Sequence, residues 1–188
     1  SFDTSKVTDM FKMFDSCSYI KSLDLTKFRT SSVLDMGSMF RGCYSLTSLD
    51  LSMFDTKNVK DMFSMFDGCS SLTSLNLRHF NTHLVTDFSG MFQKCSSLSY
   101  LDISSFDASN VRDVSSMFAD CRQLTSIDLS EFNPSESDDF SRMFAYCSSL
   151  TSINLRNFST KNARNMQYMF QNAILIKELD LSQFETVD

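Results

Sequence analysis

The chain has 188 residues, a net charge of −6 and a pI near 4.8. That balance speaks against nucleic acid or an anionic membrane surface as the main partner, because both ask for a basic footprint. No apolar run approaches the roughly 20 residues of a membrane-spanning helix, so no membrane insertion by this segment is expected, and four glycines and one proline exclude a collagen-like rod or a disordered tract.

The pattern repeats every 26 residues without insertion or deletion. Met-Phe falls at Met13-Phe14, Met39-Phe40, Met65-Phe66, Met91-Phe92, Met117-Phe118, Met143-Phe144 and Met169-Phe170. A second phenylalanine keeps the beat from Phe2 and Phe28 to Phe158 and Phe184. A fixed period in this range is the signature of a solenoid, in which each coil buries its apolar side against the next. The expectation is one solenoid over residues 1–188, about seven coils long. Ser1 to Thr4 are already in phase, so no signal peptide is read there. Both ends break off in mid-pattern without a polar cap, as in a fragment of a longer protein.

Within a unit, the stretch Val59-x-Asp61-Met62-x-x-Met65-Phe66-x-x-Cys69 spaces its apolar residues by three and four, which predicts a short helix. Asp9, Asp35, Asp61, Asp87, Asp113 and Asp139, with Asn165 in the last unit, stand where a side-chain oxygen would cap it. The residue before each Cys position (Ser16, Gly42, Gly68, Lys94, Asp120, Tyr146, Asn172) predicts a left-handed helix stop. Cys17, Cys43, Cys69, Cys95, Cys121 and Cys147 form a column about 4.7–4.9 Å apart. Disulfides want their Cβ atoms nearer 3.8 Å with a turned dihedral, so the column reads as free, buried thiols.

The back of the unit carries Leu72-x-x-Leu75-x-Leu77, repeated as Leu46-x-x-Leu49-x-Leu51 and Leu98-x-x-Leu101-x-Ile103. Its alternation predicts a strand of three to five residues. The expected fold is therefore an α/β solenoid, a leucine-rich-repeat-like right-handed stack with a parallel sheet on one face and short helices on the other.

The string Phe-Asp-Thr-Ser-x-Val-x-Asp-Met-x-x-Met-Phe-x-x-Cys-x-x-Leu-x-x-Leu-Asp-Leu-Ser resembles the BspA-like leucine-rich-repeat surface proteins. More closely it resembles their 26-residue relatives, the mycoplasma lipoprotein-associated repeats. The resemblance spans the whole chain. It departs at Ala173 in the Cys phase, at Ser137 and Ala163 in the Val phase, and at Pro134. It implies an extracellular or cell-surface bacterial protein linked to adhesion, with a host or cell-surface protein or glycan as partner and no catalytic residues to carry over.

No catalytic constellation stands out, and no cofactor or metal is expected. His79 and His83 occur in one coil only, without further ligands beside them. Six equivalent buried cysteines are the opposite of a low-pKa nucleophile. The face between the inward leucines is more telling. It carries Asp24, Asp50, Asn76, Asp102, Asp128, Asn154 and Asp180 in one column, flanked by Ser and Thr and interrupted by Tyr100. Carboxylates stacked about 5 Å apart repel by roughly 1 kcal/mol in water. Asn76 beside Arg78, and Asn154 beside Arg156, read as relief of that repulsion. These columns either keep the sheet soluble or form a concave, acidic, hydroxyl-rich binding face. Ile174 and Leu175, apolar where other units are polar, are a second contact candidate. Self-association through uncapped coil ends is the alternative to a binding role.

Overall fold

The computed structural model describes residues 3–185. Its backbone stacks in parallel at the sequence period. The amides of Met10, Lys12, Phe14 and Ser16 donate to the carbonyls of Asp35, Gly37, Met39 and Arg41 at 2.6–3.0 Å. The same bonds recur down the chain, for example from Phe92 to Met117 and from Phe118 to Met143. The result is a repeat solenoid.

Among the described residues there is no helix, which corrects the expected outer layer. The stretch read as helical is a run of overlapping turns. Met13 donates to Met10, Asp15 to Lys12 and Cys17 to Phe14, at 3.0–3.2 Å. Lys12 and Ser16, each third in its turn, have φ of 56° and 61°. A positive φ there is the mark of a type II turn, and a right-handed helix cannot run through it. Overlapping turns bring Met10, Met13, Phe14 and Cys17 to one side, so they mimic the three-and-four spacing of a helix. The alternate amides that a helix would bond internally go to the next coil instead.

The Asp9 column changes role accordingly. These residues pair from coil to coil as parallel bridges, from Asp9 with Asp35 through to Asp139 with Asn165. Each Oδ1 accepts the amide two residues on, at 2.8 Å from Phe11 to Asp9, from Gly37 to Asp35 and from Ser115 to Asp113. They close Asx turns and cap no helix. The left-handed residues before the Cys phase are present, at turns. A second left-handed column runs through Lys12, Ser38, Ser64, Gly90, Ser116, Arg142 and Tyr168.

On the leucine side the sheet is shorter than expected. Strand β1 is Ser126–Asp128 and strand β2 is Ser152–Asn154, parallel with Ser126 opposite Ser152. Asn76 and Asp102 add a single bridge. The Asp column limits the strands, because its Oδ1 atoms capture the amides of Ser104 and Ser130 and turn the chain away.

The core is columnar. Phe40, Phe66, Phe92, Phe118 and Phe144 are buried, and neighbouring rings in this column stack at 5.5–5.8 Å within 12° of parallel. A buried threonine column runs beside it. Thr30 Oγ1 donates to the Asp55 carbonyl at 3.0 Å and accepts the Asp55 amide at 2.7 Å. Thr4, Thr56, Thr82 and Thr160 do the same toward Arg29, Asn81, Asp107 and Glu185. Ser137, the departure in the Val phase, is fully buried and donates to the Val111 carbonyl at 2.8 Å.

The six cysteines are free, five of them buried and Cys17 partly exposed. The thiols from Cys43 to Cys147 each donate to a phenylalanine carbonyl 29 residues earlier, at 3.1–3.3 Å. Burial pushes Cys43 up to about 11 and Cys147 up to about 12, with Cys69, Cys95 and Cys121 also held well above the ordinary thiol range. A thiol reagent is therefore expected to label Cys17 alone in the native chain and all six after unfolding; fast labelling of more than one native thiol would contradict the packing. Unfolded thiols ionise near 9.0 while the folded ones keep their protons to about 11 or 12. Their contribution is thus intact below the unfolded value and fades as pH climbs through that window.

Candidate functional site

The groove on the strand face gathers four of the candidate binding residues, Tyr100, Asp102, Asp128 and Asn154. It encloses about 600 Å³ between Tyr100–Ser104, Ser126–Asp128, Ser130–Phe132 and Ser152–Asn154. Alternation sends Leu101, Ile103, Ile127 and Ile153 toward the core and leaves their neighbours outside. Tyr100, Ser126 and Ser152 share one repeat phase, and Asp102, Asp128 and Asn154 share the next outward one. The outward side chains form a grid, about 4.8 Å from coil to coil and about 6.6 Å along the chain.

Internal bonds hold the grid. Asp102 Oδ1 accepts the Ser104 amide at 3.0 Å and its hydroxyl at 2.7 Å, while Oδ2 accepts Arg78 Nε at 2.7 Å. Asp128 Oδ1 accepts the Ser130 amide and Asn154 Nδ2, both at 2.9 Å. Asn76 and Asn154 accept the amides of Arg78 and Arg156 in the same way. Bonds from the Ser or Thr two residues on hold Asp24, Asp50, Asp102, Asp128 and Asp180 below the usual carboxylate range. The face therefore stays ionised at neutral pH.

Charge relief works across coils. Arg78 reaches Asp102 in the next coil instead of serving its own. Asn154 lends its amide to Asp128. Arg156 is in no ion pair among the described residues. Asp24 and Asp50 lie on the same face in earlier coils, outside the groove. Ile174 and Leu175 are exposed, and Ile174 lines a separate corner with Arg122, Tyr146, Ser148 and Asn172. The structure does not bring this pair to the groove.

His79 Nε2 meets the Leu51 carbonyl at 2.9 Å and His83 Nδ1 meets Asn81 at 2.6 Å, so each is engaged locally. Among the described residues no group of three or more His, Cys, Asp or Glu is placed to hold a metal, and no helix is long and apolar enough to cross a membrane. Sequence reasoning missed Asp67, whose Oδ1 is buried without a hydrogen-bond partner, 4.0 Å from Lys94 Nζ. Burial raises the Asp67 carboxyl. The signal available was the pair Gly42 and Gly68 at one phase, which opens a cavity of about 320 Å³ beside it.

Stacked 26-residue coils with a Leu-x-x-Leu-x-Leu face define a leucine-rich-repeat type of solenoid. The leucine-rich-repeat protein of T. pallidum (TpLRR) is similar over 92% of this chain and 72% of its own, at 22% identity and a TM-score of 0.61, which establishes the fold. Residues 1–76 and 69–184 match the family described as "Mycoplasma protein of unknown function, DUF285", and the chain belongs to that family. The resemblance to 26-residue mycoplasma repeats is thereby borne out.

Looser similarities reach a leucine rich cell surface protein from Faecalibacterium prausnitzii and a leucine-rich repeat protein from Bacteroides ovatus. The first is 15% identical with a TM-score of 0.38, covering 79% of this chain and 36% of that one. The second is 19% identical with a TM-score of 0.31, covering 92% of this chain and 63% of that one. No curated protein matches the chain.

Proposed function

We propose that the chain is a non-enzymatic binding module, displayed on a bacterial cell surface or secreted, whose strand-face groove takes a protein or glycan partner in an adhesin-like role. One observation carries the reading: the groove gathers Tyr100, Asp102, Asp128 and Asn154 on one surface, with Arg78 tied to it, while the rest of each coil is spent on core and turns. A repeat fold offers such a face because every coil contributes the same positions to it.

The test blocks the groove without touching a turn bond. Ser126→Arg with Ser152→Arg fills it, since both residues point outward on β1 and β2. Wild-type chain is expected to give signals on arrays of glycans and peptides that the blocked variant loses. Signals that survive the block would place recognition elsewhere, and a silent wild type would count against the reading.

A further inference from the structure

The Asx column on the turn side runs through Asp35, Asp61, Asp87, Asp113, Asp139 and Asn165, half-buried and bridged from coil to coil. Parallel stacking sets these side chains about 4.8 Å apart. Each Oδ1 is taken by the amide two residues on, at 3.0 Å from Phe63 to Asp61 and 2.7 Å from Ser89 to Asp87. Among the described residues no lysine or arginine pairs with the column. Its cross-coil side-chain bond lies at the end, where Asn165 Nδ2 donates to Asp139 Oδ2 at 2.9 Å. Counting back two coils at a time from Asn165 gives Asp113 and Asp61. Burial raises these two carboxyls. Neighbouring charges push the same way, from Asp87 and Asp35 on Asp61 and from Asp87 and Asp139 on Asp113, against the bonds from Phe63 and Ser115.

We propose that the column is a proton-binding ladder, in which Asp61 and Asp113 each take a proton and donate it to Oδ2 of Asp35 and Asp87, as Asn165 donates to Asp139. Stacked carboxylates repel while all are ionised, and one proton per pair turns that repulsion into a charge-assisted O–H···O bond. A carboxyl raised in the folded chain holds its proton more tightly than the unfolded chain does. The ladder's contribution is therefore full below the unfolded value of 3.8 and is lost as pH climbs through the folded one. The outward carboxyls, such as Asp24 and Asp128, are held low and have the opposite sign, so their contribution is lost only as pH falls past 3.8. Mild acid stabilises the solenoid before stronger acid loosens it.

The experiment is urea unfolding at about pH 7 and about pH 5, where only the ladder's sign of effect is expected from the carboxyls. The wild-type midpoint should be higher at the lower pH. Asp61→Asn with Asp113→Asn keeps the turn acceptors, as Asn165 does toward the Gln167 amide at 3.1 Å, and supplies the donors permanently. That double variant should have a raised midpoint at neutral pH and a flattened rise on acidification. Asp24→Asn with Asp128→Asn removes the same charge from the outward face and should leave the rise unchanged. His79, His83 and the raised Asp67 are common to all three chains and drop out of the comparison. An equal rise in the wild type and the ladder variant would overturn the proposal, and so would equal flattening by the outward pair. If the ladder variant does not fold, carbon-13 NMR titration of the wild type decides. Asp61 and Asp113 should take up protons at higher pH than Asp24 and Asp128; titration of all four together would overturn the ladder.

Discussion

Replacing Phe92 with alanine is expected to destabilise the chain by about 3–5 kcal/mol, the usual cost of emptying a buried phenylalanine site. Phe92 is fully buried and lies between Phe66 at 5.8 Å and Phe118 at 5.7 Å, with both rings within 7° of parallel. The substitution therefore removes buried area and two stacked contacts, each worth roughly 0.5–1.5 kcal/mol beyond that area. Nor can the site collapse, since the coils above and below are held apart by the amides of Phe66 and Phe92. The urea midpoint should fall accordingly. Phe170→Ala, at a partly exposed ring with Phe144 as its stacking neighbour, should cost clearly less. Equal losses at the two positions would mean that the column does not carry the stability.

The second large effect is expected at Thr56→Val. The shape is kept, but the Asn81 amide and carbonyl both lose the hydroxyl that serves them at 2.8 and 2.9 Å. Stranding such groups costs about 1–3 kcal/mol. The chain contains its own control: Ala108 and Pro134 occupy the same phase without a hydroxyl. Ala108→Thr should accordingly gain stability, read as a higher urea midpoint with an unchanged slope. A neutral Thr56→Val would show that solvent replaces the hydroxyl at no cost.

Much of this architecture is legible in the sequence. The period, the two phenylalanine columns, the buried thiols and the outward Asp column follow from counting, because a solenoid converts phase into position. Local geometry is less legible. Met62-x-x-Met65-Phe66-x-x-Cys69 has the spacing of a helix face, and only the positive φ at Ser64 and Gly68 shows that the chain turns instead. Ser, Lys, Arg and Tyr share the Ser64 phase with Gly90, so composition there conceals the left-handed conformation. The Thr56 column hides among surface-like Ser and Thr. Nothing in residue type says that this hydroxyl points inward to a neighbouring coil.

The groove was half legible. Tyr100, Asp102, Asp128 and Asn154 could be grouped by phase, whereas the Arg78 bridge crosses to the next coil and needed coordinates. Asp24 and Asp50 share the phase but lie outside the groove. Phase predicts the face, and the particular neighbours make the site. That the Asp oxygens close turns also explains why Asn serves equally at Asn76 and Asn154.

Recognition by the groove is most directly tested by hydrogen exchange, comparing the chain alone with the chain bound to its best array ligand. Slowed exchange is expected at residues 100–104, 126–132 and 152–154, with the turn side from Asp9 to Cys17 and its repeats unchanged. Protection confined to the turn side, or to the corner around Ile174, would contradict it.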